Sequence, residues 1–134
     1  MFKGFASPAF VIIILLFSAC KSSIKPEALY GRWNYIKVFK PEANPVDSVS
    51  RSELEIEKPY IEFGKDNKLL IIWGGKVLSH GTFTTDGDNI HFTEKLEGNQ
   101  TRTFPFYVSQ LTEKIIVFET LGVDGSRVMA VKSN

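Results

Sequence analysis

Few residues in this chain are of the types that carry chemistry, and their spacing limits what they can do. His80 and His91 flank Asp86-Gly87, a dipeptide that favours a two-residue hairpin turn. Pairing Thr85 with Asp88 sets Phe83 opposite Ile90 and Gly81 opposite Phe92, and puts both imidazoles on the other, solvated face. In that register the histidines are diagonal neighbours, about 7–8 Å apart at Cα. A zinc site takes three or four ligands, and no third is spaced to join them, so both read as surface histidines. The carboxylates are scattered: Glu53, Glu55 and Glu57 fall in a long connection, and Glu94 and Glu97 near a turn. Acid/base work needs two carboxylates converging on one cleft, and this spacing makes no such pair. There is no serine nucleophile elbow, no Cys–His pair and no phosphate-cradling loop; Gly74-Gly75 is a turn. The expectation is a protein with no catalytic residue, no metal site and no cofactor.

Cys20 is the single cysteine, so it cannot close an intramolecular disulfide. Its surroundings give it another use. Met1-Phe2-Lys3 supplies a positive start, and Ala9 to Phe17 is an unbroken apolar run. That run falls short of the roughly 20 residues a bilayer span requires and fits the apolar core of an export signal. Leu16-Phe17-Ser18-Ala19-Cys20 resembles a bacterial lipoprotein cleavage box, with Phe17 where leucine is usual. The resemblance implies cleavage after Ala19, leaving Cys20 with a diacylglyceryl thioether and an N-acyl chain such as palmitate. At about 0.8 kcal/mol per buried methylene, more than one chain anchors stably. The expected address is the bacterial cell envelope, most simply the outer membrane, with the sidedness open. Residues 1–19 are then signal, and 20–28 a lipidated, flexible spacer ahead of a domain at 29–134.

Removing residues 1–19 from 134 leaves 115 and takes away Lys3, so 15 Lys+Arg face 15 Asp+Glu. A neutral chain has no electrostatic drive toward nucleic acid. This length makes one domain with one core.

The domain reads as short strands. Leu29-Tyr30-Gly31-Arg32-Trp33-Asn34-Tyr35-Ile36-Lys37-Val38-Phe39 alternates, with Trp33, Tyr35 and Phe39 on one face. Lys40 to Lys58 is a long connection in which Ser50-Arg51-Ser52-Glu53 fits a capping box. Val49 and Leu54 would form the hydrophobic staple, and Pro59 would stop a helix of about two turns. A short strand at Leu54-Glu55-Ile56 competes with that helix. Tyr60–Phe63 and Leu69–Trp73 flank a turn whose tip is Asp66-Asn67, which sets Phe63 against Leu70 and Ile61 against Ile72 as a core face. Val77–Thr84, Asn89–Thr93, Thr101–Val108, Lys114–Thr120 and Arg127–Lys132 follow, linked by glycine-bearing turns. Pro105 lacks a backbone donor and belongs at an edge or bulge. Hairpin links without helical crossovers give an all-β domain, an eight-stranded antiparallel up-and-down β-barrel.

Gly31-Arg32-Trp33 at the first strand, Tyr60-Ile61-Glu62-Phe63-Gly64 at the second and the Gly81-Thr82-Phe83 to Asp86-Gly87-Asp88-Asn89-Ile90 hairpin together resemble the lipocalin-like domain of small Bacteroidetes lipoproteins. The resemblance implies that Trp33 plugs the closed end of the barrel beside Gly31, with a late arginine, Arg127, across its ring. The Thr-Asp-Tyr element of true lipocalins is missing. The resemblance also implies recognition rather than catalysis. A small apolar or amphipathic ligand would lie inside, lined by Trp73, Phe83, Phe92, Phe104, Phe106 and Phe118. Alternatively the barrel is a scaffold whose loops bind another protein, for example as a protease inhibitor, through residues 21–28 or 40–58.

Overall fold

A computed structural model describes residues 23–43, 47–120 and 125–134. The chain forms β1 (Gly31–Lys40), β2 (Asp47–Ser48), α1 (Arg51–Glu57), β3 (Tyr60–Phe63), β4 (Lys68–Trp73), β5 (Lys76–Asp86), β6 (Asn89–Lys95), β7 (Thr101–Leu111), β8 (Ile115–Thr120) and β9 (Arg127–Lys132). Every neighbouring pair is antiparallel, and β1 also pairs with β9 from Trp33↔Lys132 to Phe39↔Arg127. That last ladder closes β1 and β3 to β9 into an eight-stranded up-and-down barrel, as the strand pattern predicts. The two-residue β2 is an addition from the long connection, laid on Phe39 and Lys40.

The barrel has a sealed base and a mouth. The turns β3–β4, β5–β6 and β7–β8 lie with the start of β1 at the base. The turns β4–β5 and β6–β7 lie with the end of β1 at the mouth. Trp33 is fully buried and its Nε1–H donates to the Leu29 carbonyl at 2.8 Å. A 3-10 turn, Pro26–Ala28, leads into Leu29, and the Ile24 N–H donates to Gly87 O at 2.9 Å. Ser23–Ala28 is thus a strap docked across the base, where a flexible spacer was expected: Ile24 and Leu29 have apolar surface to bury there. Gly31 has φ +118°, and a Cβ there would meet Lys132 Cε at 2.7 Å, so backbone and neighbour both favour glycine. The residue across the Trp33 ring is Lys132, its Nζ 4.5 Å from the ring centroid. Arg127 does not reach Trp33. It pairs with Phe39 at the far end of the same ladder and lies 5.3 Å from that ring, with Glu119 at 3.3 Å.

Two hairpin registers differ from those the turns suggested. In β3–β4, Phe63 opposes Leu69 and Ile61 opposes Ile71. Asn67 adopts the left-handed conformation (φ 64°), which makes a three-residue loop and shifts the pairing by one. Leu69 and Ile71 therefore face the core. Leu70 and Ile72 face outward, and Ile72 lines a small groove with Ile56, Glu57 and Tyr60. In β5–β6 the turn is Gly87-Asp88, with Gly87 at φ 59° in its first central position, the place that a glycine-first turn assigns to it. Phe83 then opposes Phe92, and Gly81 opposes Glu94. The N-cap half of the capping box forms, with Glu53 N–H donating to Ser50 Oγ at 3.1 Å, and Lys58 ends α1 in the left-handed conformation. Among the described residues the β7–β8 ladder begins at Phe106↔Thr120, so Pro105 sits just past it, where a missing donor is tolerated.

Candidate functional site

Alternation along the closed strands decides which side chains enter the barrel. Phe83, Phe92, Phe106 and Phe118 are buried with Trp33, Ile61, Phe63, Leu69, Ile90, Ile116 and Ala130. Their rings touch: Phe63–Phe83 at 5.1 Å, Phe92–Phe104 at 5.4 Å, Phe104–Phe106 at 5.5 Å and Phe106–Phe118 at 5.2 Å between centroids. These are offset and edge-on separations that add to area burial. Tyr35 carries the chain of rings upward, 6.2 Å from Phe118 and 6.4 Å from Trp73. Trp73 and Phe104 are only half-buried. None of the main cavities among the described residues is lined by any of the six rings expected to contact a ligand.

The mouth carries a polar group that the aromatic pattern did not single out. Glu94 shares the inward parity of Ile90 and Phe92 and is 9% exposed. The Ser79 hydroxyl donates to its Oε2, and Arg102 Nε–H donates to its Oε1 at 2.6 Å. Arg102 opposes Glu94 across the β6–β7 ladder and also lies 5.4 Å from the Phe104 ring. Burial alone would raise the Glu94 carboxyl, but the hydrogen bonds from Ser79 and Arg102, with the charges of Arg102 and His80, outweigh it and hold the carboxyl below its usual range. Tyr35 keeps part of its side chain accessible, yet its phenol is lodged among apolar rings and burial pushes it well above the ordinary tyrosine value.

The outer face holds an opening of its own. A groove of about 590 Å3 crosses β3 to β6, lined by Lys68, Leu70, Val77, His80, Thr82 and Lys95 among others. His80 opposes Leu70, and His91 opposes Thr84, so the corrected register moves the two histidines apart along the strands. His91 Nε2 instead lies 3.7 Å from Asp86. Among the described residues no three His, Cys, Asp or Glu gather into a group that could hold a metal ion. No helix among them is long and apolar enough to cross a membrane.

Cys20, residues 1–19 and part of the turn at 122–125 lie outside the described residues. α1 sits at the mouth, tied there by Gly74 N–H to Glu57 O at 2.9 Å and Tyr35 N–H to Pro59 O at 3.0 Å. Glu94 and Arg102 were legible from parity alone, since each continues an inward apolar series. The outer groove was not, because it depends on the one-residue shift that turns Leu70 outward. No family model matches this chain, and no curated protein matches it.

Proposed function

We propose that this chain is a non-enzymatic, lipid-anchored protein of the bacterial cell envelope whose barrel is a rigid scaffold for recognising another protein. The observation that carries this reading is the interior. Six phenylalanines make ring contacts and a tryptophan closes the base, so the space a small guest would occupy is taken by the chain's own side chains. Recognition then falls to the outer face and the rim. Kinship with the lipocalin-like lipoproteins is part of the same proposal, supported by strand order and by Trp33 at the base.

Mass spectrometry of the full chain isolated from its native envelope tests both halves. An N-terminal peptide beginning at Cys20 and carrying acyl mass supports the anchor, and an unmodified Cys20 removes it. A stoichiometric protein partner supports the scaffold, and a stoichiometric small molecule removes it. One observation favours that second reading: at the mouth, half-buried Phe104 lies 5.4 Å from the Arg102 guanidinium, and Trp73 at the end of β4 is half-buried too, a set suited to an amphipathic anion. Quenching or shift of Trp73 fluorescence by such a molecule, lost in Arg102→Ala, would establish it.

A further inference from the structure

β5 is longer than the strand beside it. It pairs with β4 from Lys76 to Thr82, but with β6 only from Gly81 to Asp86. After Lys95, β6 turns away, with Leu96 N–H bonded to Gln100 O. Among the described residues, Lys76–His80 therefore have a strand on one side only. The departure has a local cause at Gly81, where a Cβ would run into the Thr93 carbonyl. Only glycine lets β5 press so closely on β6 and then swing clear. On the barrel side the opening is spanned by side chains, Ser79 to Glu94 to Arg102. On the other side the row of main-chain groups is open.

An open edge usually carries protection in the form of charge, proline or a bulge. This one has Lys76 and a bulge at Leu78, which has no counterpart on β4. It also carries two adjacent apolar residues with little cover, Val77 at 56% and Leu78 at 64% exposed. Val77, His80 and Lys95 line the outer groove as well, so edge and groove are one continuous surface. None of the ion pairs among the described residues uses Lys76, His80 or Lys95.

We propose that the Lys76–His80 edge of β5, with the groove beside it, docks an extended segment of a partner protein that alternates acidic and apolar residues, added to the sheet as a strand. Main-chain pairing supplies affinity, and alternate side chains falling into the groove supply choice. Glu62 and Asp66 line the groove too, but each is engaged, with Arg32 and Lys68, so the lysines that no ion pair among the described residues uses, Lys76 and Lys95, favour an acidic segment. A second copy of this chain is the poorer occupant. An antiparallel pairing centred on Leu78 brings Lys76-Val77-Leu78-Ser79-His80 against itself, and that segment carries no carboxylate to meet Lys76. The proposal rests on the scaffold reading above and names its surface.

The test uses the full-length chain in detergent and two labelled probes, a short peptide alternating glutamate with valine and its lysine–valine counterpart, followed by fluorescence anisotropy. The glutamate peptide should bind at least about ten-fold more tightly, and Leu78→Lys should lose that difference. Ile36→Lys, at an exposed apolar site elsewhere, should keep it. Amide exchange at Leu78 and His80 should slow on binding, while the Gly81–Asp86 ladder stays unchanged. Equal binding of both peptides, binding of neither, or binding indifferent to Leu78→Lys overturns the proposal, as does self-association lost in Leu78→Lys. A small molecule recovered from the barrel would instead remove the scaffold reading and leave the edge measurement standing, so the two failures are distinct.

Discussion

Glu94 is the residue whose setting departs furthest from its type. A carboxylate on the inner face of a barrel is costly unless it is fully hydrogen-bonded, and Ser79 and Arg102 meet that need from two different strands. Because its folded value is depressed, its contribution is complete above the ordinary glutamate value of 4.5 and is lost as pH falls through the folded value. Chemical denaturation from pH 7 down to 3 should show stability falling over that window, and Glu94→Gln should flatten the fall. Arg102→Ala removes a donor from a buried oxygen and should cost about 1–3 kcal/mol at pH 7. Tyr35 works in the opposite sense. Its phenol titrates higher when folded, so its contribution is present below the unfolded value of 10.0 and declines as pH rises beyond it. Tyr35→Phe should abolish that alkaline decline, read from melting temperature between pH 9 and 11. Period-two alternation was enough to place both side chains inside. Alternation puts Ser79 and Arg102 on the same inward side as Glu94, but it does not give the β6–β7 register that sets Arg102 opposite the carboxylate.

Strands and turns were legible to different degrees. The eight barrel strands could be read from aromatic and β-branched runs, and α1 from Ser50 and Glu53. Registers could not, because they hang on single backbone conformations: the left-handed Asn67 and the position of Gly87 within its turn. A shift of one residue exchanges the faces of a strand, which is why Leu70 lies on the outside and Leu69 in the core. Ser50→Ala should cost about 1 kcal/mol, and hydrogen exchange should register the loss in α1 rather than in the barrel. Gly81→Ala is a sharper test of strand geometry. The added methyl meets backbone, which cannot swing aside as a side chain would, and overpacking of this kind should cost about 1–3 kcal/mol in urea denaturation.

At the scale of the molecule, closure was visible in the sequence as hairpin-length links and a first strand strong enough to receive the last. What could not be read was the treatment of the ends. Trp33 as the base plug was expected, but its cation is Lys132, because Trp33↔Lys132 is the terminal pair of the closing ladder and Arg127 sits at the other limit of the same strand. The strap was also unforeseen, since Ile24 and Leu29 are single apolar residues in polar company and gain a role only once a base exists to receive them.

That strap fixes more than the floor of the barrel. Ser23 follows Cys20 by three residues, no more than about 10 Å of extended backbone, and the strap joins the molecule at its floor. A chain fastened to lipid at Cys20 would thus stand like a goblet on a short stem, foot to the bilayer and lip to the open compartment. Lipid-borne quenchers in vesicles carrying the acylated chain should dim a fluorophore at Asp66 far more than one at Gly75. α1 and the projecting tip of the β4–β5 hairpin would then face outward, at the height where a neighbour's loose segment first arrives.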